Sequence, residues 1–190
     1  MRYAGSFCCV LLLLVMTGCS VRLRNVPPDK SLAYIYLDLT EADVVPTWVT
    51  VKQISPSINK PYYYCGFIRD KNNKHAAVFW YDSLAPGTYQ MSQFGGEGRL
   101  LLQRTQIEFM MPETGRNETA IVISRPGTYF MGAYKYRALS STWAGFVGKG
   151  KFALEPLATP SRVDALKELQ PLAAGSSWEA RINSELASEQ

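Results

Sequence analysis

The chain reads as mainly β, an antiparallel β-sandwich closed by two short C-terminal α-helices, and three observations predict it. Short runs rich in Tyr, Val, Ile, Phe, Thr and Trp recur between turn residues from Ser31 onward. There are about nine of them, and such segments at close spacing mark sandwiches and barrels. Several alternate with period two: Ile107, Phe109 and Met111 fall on one face, with Gln106 and Glu108 opposite. No helical pattern of about ten residues intervenes until the end of the chain, which disfavours a parallel sheet with crossover helices.

Ahead of the strands, Arg2 supplies a positive start, residues 7–16 are apolar, and Thr17 and Gly18 lead into Cys19. That run has roughly half of the ~20 residues needed to cross a bilayer, so it reads as a cleavable export signal. The expected organisation is a signal over 1–18, a tether over 19–31, the sandwich over 32–158 and packed helices over 159–190. The tether is polar and basic with Pro27-Pro28. Fully stretched it spans about 35–40 Å and would hold the body away from a surface. Val21, Leu23 and Val26 would alternatively let it pack as an edge strand.

Expected strands cover 32–39, 47–54, 62–69, 75–81, 88–94, 106–111, 119–124, 128–137 and 143–154. Segments 62–69 and 75–81 predict a hairpin turning on Asn72-Asn73, with Asp70 opposite His75 and Cys65 opposite Trp80. The run Pro86-Gly87-Thr88-Tyr89-Gln90-Met91 recurs as Pro126-Gly127-Thr128-Tyr129-Phe130-Met131. Each Pro-Gly predicts a type II turn, with glycine taking the positive φ at its third position. Tyr89 with Met91, and Tyr129 with Met131, then share a face, and Phe94 corresponds to Tyr134.

At the C-terminal end, Ser161 and Asp164 have the spacing of a capping box, Val163, Leu166 and Leu169 share a face, and Pro171 stops the helix. Ser176 and Glu179 repeat the capping pattern, and Trp178, Ile182 and Leu186 recur at i, i+4 and i+8. The polar face mixes Arg181 with Glu179 and Glu185, which suits solvent better than anionic lipid. Both helices are therefore expected to pack on the sheets.

Met16-Thr17-Gly18-Cys19 resembles the bacterial lipobox, with Met16 where that family usually has leucine. The resemblance implies cleavage before Cys19, lipidation of that residue and a stable membrane attachment. Ser20 resembles the outer-membrane sorting class of Gram-negative bacteria, on the periplasmic face. Separately, Phe79 to Tyr89, containing Leu84, Pro86 and Gly87, resembles the F-x-x-L-x-P-G-x-Y hairpin of carboxypeptidase-regulatory-like and transthyretin-like domains, more weakly echoed at 121–131. Ala85 stands where that family often has a second proline. This resemblance implies a transthyretin-like or Ig-like accessory or adhesion fold and carries no catalytic residues across.

Twenty Lys and Arg against 16 Asp and Glu give +4, a mild basicity with no run resembling a nucleic-acid stripe, so no nucleic-acid partner is expected. Of the four cysteines, Cys8 and Cys9 leave with the signal and Cys19 takes lipid. Cys65 is left without an internal partner, between aromatics, in a position that favours a buried strand. One histidine, His75, rules out zinc-type clusters of His and Cys. In the expected hairpin a Cys65–His75 dyad is stretched to roughly 16 Å, far beyond hydrogen-bond reach. Gly95-Gly96-Glu97-Gly98 lacks a phosphate-binding pattern and reads as a flexible connection. Asp38, Glu41 and Asp43 cluster without the spacing of a calcium loop. Asn117-Glu118-Thr119 reads as a turn. No cofactor and no metal are expected.

Tyr62, Tyr63 and Tyr64 are consecutive, so strand alternation turns at least one of them away from whichever face is buried. With Trp80 they form the candidate binding patch, suited to a protein or glycan. The expectation is a non-enzymatic lipoprotein, held to the membrane by Cys19, that binds or scaffolds an envelope protein or glycan. Two alternatives stay open: a surface-anchored hydrolase acting on glycan or peptide through carboxylates, and a transthyretin-like lipoprotein of a secretion apparatus.

Overall fold

The structure is a computed structural model that describes residues 22–57, 61–63, 66–100, 103–111, 118–140 and 151–189. Among them are ten strands: β1 (Ser31–Asp38), β2 (Val45–Ser55), β3 (Pro61–Tyr63), β4 (Gly66–Arg69), β5 (Ala76–Leu84), β6 (Gly87–Leu100), β7 (Gln103–Met110), β8 (Ile121–Ile123), β9 (Thr128–Ala138) and β10 (Phe152–Pro156). Two helices follow, α1 (Arg162–Leu169) and α2 (Glu179–Ser188). The first sheet runs β10-β9-β1-β5-β4; the second runs β3-β2-β6-β7, with β8 beside β6. The fold is thus a two-sheet β-sandwich with two short C-terminal helices, as the strand pattern implies. Every described strand pair is antiparallel except β1 with β9, which run parallel.

The first sheet is covered on both faces, which is why β1 carries no charged side chain between its ends and is buried on both sides over residues 31–37. Ala33, Ile35 and Leu37 of β1 and Ala77, Phe79 and Tyr81 of β5 face the second sheet, meeting Val49, Val51, Tyr89, Met91 and Phe94. Leu32, Tyr34, Tyr36, Val78 and Trp80 face the other way, under Leu166, Leu169, Trp178, Ile182 and Leu186 of the helical segment. Each Val, Leu, Ile, Phe or Met side chain so withdrawn from water contributes about 1.5–3 kcal/mol.

The helix starts are built as their sequence implies. Ser161 Oγ accepts from Asp164 N–H at 3.2 Å, and the Asp164 carboxylate accepts from Ser161 N–H at 3.1 Å, a complete capping box. Pro171 lies in a 3-10 turn, Gln170–Ala173, that follows α1. The Ser176–Glu179 pattern works one step out of place: Ser176 Oγ accepts from Trp178 N–H, and Glu179 reaches back to Gly175 N–H.

Four local expectations are corrected. The segment 62–69 is not one strand: Pro61–Tyr63 pairs with β2 in the second sheet, and Gly66–Arg69 pairs with β5 in the first. The β4–β5 register is one residue away from that expected, with Gly66 opposite Trp80 and Arg69 opposite Ala77. The connecting loop is wider than a two-residue turn: Asp70 N–H bonds Ala76 O, while the side chains of Asp70 and Asn73 cap Asn72 N–H and His75 N–H. Gly95, Gly96 and Gly98 lie inside β6 and form no loop: Gly95 and Gly96 are paired with both β2 and β7, and Gly98 with β7. A Cβ on Gly96 would strike the Val45 carbonyl, and one on Gly95 would sit 2.6 Å from the Trp48 ring. Glycine is there for close approach of neighbouring backbone.

Finally, the two Pro-Gly corners are not hairpin turns. The first joins β5 in one sheet to β6 in the other, and the second joins β8 to β9, again changing sheet. Gly87 has φ 158° and Gly127 is not among the positive-φ glycines, so neither forms the type II turn. The echo is nonetheless structural. Tyr89 Oη donates to Ala85 O at 2.9 Å and Tyr129 Oη to Arg125 O at 2.7 Å, each closing over its own corner. Both strands are then irregular after Met91 and Met131, which brings Phe94 and Tyr134 back to the inner face.

Candidate functional site

Of the expected aromatic patch, only Trp80 has a described side chain, and that side chain is not at the surface. Trp80 is on β5 of the first sheet and 0% exposed, buried on the face that the helices cover. Tyr62 and Tyr63 belong to β3 of the second sheet. Tyr64, Cys65 and the side chains of Tyr62 and Tyr63 lie outside the described residues, as do Cys19 and Asn117. Trp80 is excluded because it shares its strand parity with Ala76 and Val78, which all point toward the helical layer.

The most developed polar constellation lies elsewhere, where the N-terminal segment meets β5. Residues 22–30, expected as a free tether, are docked onto the body. Leu23 is 3% exposed, and its N–H donates to Leu172 O at 3.0 Å. Arg24 clasps Asp82: its backbone N–H donates to Oδ2 at 3.0 Å and its Nε to Oδ1 at 3.0 Å, while Nη2 forms an ion pair with Oδ1. Nη2 also reaches Ser83 Oγ at 3.2 Å. Further along, Val26 N–H donates to Ser177 Oγ and Ser177 N–H to Asn25 Oδ1, and Arg181 donates to the carbonyls of Pro28 and Lys30. The Arg181 guanidinium lies 5.2 Å from the Trp178 ring centroid.

This clasp has a physical logic. The Asp82 side chain is 0% exposed, and that of Arg24 is 58% exposed. A carboxylate taken fully out of water must be matched by donors, and a guanidinium offers several in a planar fork. Asp82 sits at an irregularity where β1 and β5 fall out of register between Ser31 and Ala33, which aims it at the N-terminal segment. This pair joins residues 58 apart in sequence. Its signal was a carboxylate on the apolar strand Ala76–Leu84, whose partner had to come from the basic segment nearby.

The remaining candidate chemistry is occupied. Asp38 accepts from the N–H and Oγ1 of Thr40, Glu41 pairs with Lys135 at 3.3 Å, and Asp43 lies 3.6 Å from His75 Nε2. Among the described residues no three His, Cys, Asp or Glu side chains are grouped to hold a metal ion. The other His75 nitrogen faces Val44 O at 3.2 Å. Burial pushes the hydroxyls of Tyr34, Tyr36, Tyr134 and Tyr136 above their ordinary pKa of 10.0, and the hydrogen bond from Tyr36 to Asp70 adds to the rise. The Ser161 hydrogen bonds hold the Asp164 carboxyl below its usual range. Among the described residues no helix is long and apolar enough to cross a membrane, which says nothing about strands.

No family model matches the chain, and no curated protein does. Among solved structures, one similar chain is a candidate cell adhesion protein from Bacteroides fragilis, at 6% identity and a TM-score of 0.37. The match covers 71% of this chain and 47% of the other, so this chain spans less than half of that neighbour. A likeness at that level assigns nothing here.

Proposed function

We propose that the chain is an exported bacterial lipoprotein whose sandwich serves a non-enzymatic binding or scaffolding role in the cell envelope. The observation that carries it is the order of parts in the sequence: a positive start, a short apolar run, Met16-Thr17-Gly18-Cys19, and a folded body that begins a few residues later. Acyl chains on Cys19 would attach the body without a spanning helix, each buried CH₂ contributing about 0.8 kcal/mol. The two-sheet body, with Asp38, Glu41, Asp82 and Asp164 engaged by Thr, Lys, Arg and Ser, supports a structural role. An envelope protein or glycan is the partner class we assign to it, with the outer membrane as its location.

The test is fractionation of cells expressing the wild type and Cys19→Ala, followed by crosslinking. Wild type should follow the membranes and Cys19→Ala should not, and envelope crosslinks should recover the same protein or glycan repeatedly. Membrane association of Cys19→Ala at wild-type level would overturn the anchor. Repeated crosslinking without any recovered component would overturn the scaffold.

A further inference from the structure

Resting on the lipid-anchor reading, a second conclusion follows from where the docked chain begins. Leu23 is buried against Leu172, and Arg24 is fastened to Asp82. Four residue steps separate Cys19 from Leu23, and a fully extended chain covers at most ~3.6 Å per step, or about 14 Å. We infer that the lipid surface is the occupant of the face around Arg22, Leu23, Arg24 and Ser83, and that the body rides directly on the headgroups with no leash beneath it.

The clasp sets the orientation. Arg24 touches Ser83, near the last residues of β5, so the corner at Leu84–Gly87 is the membrane-proximal pole. The loop around Asn72 precedes the first residue of β5. It therefore lies roughly 25 Å from that pole, at ~3.3 Å per residue along the strand. Arg22, exposed, is the basic group next to the clasp, placed where an anionic headgroup would be attracted. A free tether would leave the body to tumble; a clasped one gives the envelope partner a fixed pole to meet, the end carrying Glu41, Asp43 and the 70–75 loop.

The experiment uses full-length lipidated protein, Cys65→Ser background, reconstituted in vesicles of neutral and anionic phospholipid that carry a headgroup acceptor dye. A donor dye is placed at Pro86→Cys, exposed in the same corner, or at Asn72→Cys, and energy transfer is read for each. Transfer should be several-fold stronger from position 86 than from position 72. A twelve-residue Gly/Ser insertion between Cys19 and Ser20 should lower the transfer from position 86 toward that from position 72. Equal transfer from both positions, or no response to the insertion, would overturn the inference while vesicle flotation and the lipid mass on Cys19 still upheld the anchor. Protein that carries no lipid and fails to float would overturn both.

Discussion

On its inner face the first sheet meets the second, and Ile35, Leu37, Phe79 and Tyr81 pack on Val49, Val51, Tyr89 and Phe94. On its outer face it meets the two ends of the chain. Leu23 comes from one end, and Leu166, Trp178 and Ile182 come from the other. The inner layer is closed by apolar area. The outer layer adds a buried charge clasp, a capping box and ion pairs from Arg162 to Glu185 and Glu189 that tie α1 to α2. The difference teaches that one layer is a self-contained core, while the other is a closure that depends on polar fastenings between distant parts of the sequence.

That contrast is open to direct attack. Phe79→Ala should lose about 3–5 kcal/mol, and so should Trp178→Ala, measured by urea denaturation. They should differ in hydrogen exchange: Phe79→Ala should loosen both sheets, whereas Trp178→Ala should expose amides of α1, α2 and residues 22–30 and leave the β2–β6 ladder protected. Equal loss of protection throughout would show that the two layers form one cooperative unit.

Next in size is the clasp. Arg24→Ala leaves a fully buried carboxylate without its guanidinium and should cost about 2–3 kcal/mol. Asp82→Asn leaves a guanidinium that is largely exposed and can rehydrate, so its cost should be about half of that or less. Urea midpoints of the two variants give the order, and the reverse order would break the account of the clasp.

The tyrosines sharpen the comparison further. Tyr34 on the outer face donates to Arg162 O at 3.2 Å, and Tyr134 on the inner face donates to Glu118 O at 2.8 Å. Both have raised pKa values, so the stability they carry is full below pH 10 and is lost as pH rises beyond it. In Trp178→Ala, tyrosine-ring NMR should show Tyr34 titrating closer to 10 while Tyr134 stays as in wild type.

The smallest effect belongs to the α1 cap. Ser161→Ala should cost about 1 kcal/mol near neutral pH. Because the Asp164 pKa is lowered in the fold, its contribution is present above the ordinary carboxylate range and is lost as pH falls through the folded value. The gap between wild type and Ser161→Ala should therefore narrow in acid, as followed by thermal unfolding.

What was legible from sequence divides along the same line. Alternation in β7 and the period of Trp178, Ile182 and Leu186 announced that strand, the last helix and their buried faces, and recurring β-branched and aromatic runs between turn residues announced the other strands. Tyr63 and Gly66 belong to different sheets, yet both flanks read as β, so nothing local marked the crossing. The β4–β5 register slipped by one because side-chain caps from Asp70 and Asn73 widen a loop that Asn72-Asn73 made to look tight. The glycines of β6 were missed because their requirement comes from Val45 and Trp48 on a neighbouring strand. Trp80 looked available for binding because its cover comes from helices about a hundred residues away in sequence. Residues 22–30 looked like a tether because their docking partners, Asp82, Leu172, Ser177 and Arg181, are distant in sequence.

The most direct measurement is the intact mass and N-terminal sequence of the mature protein taken from membranes. A chain beginning at Cys19 and carrying diacylglyceryl and acyl mass is the predicted result. A chain that retains Met1, or begins elsewhere with an unmodified amine, would contradict the account.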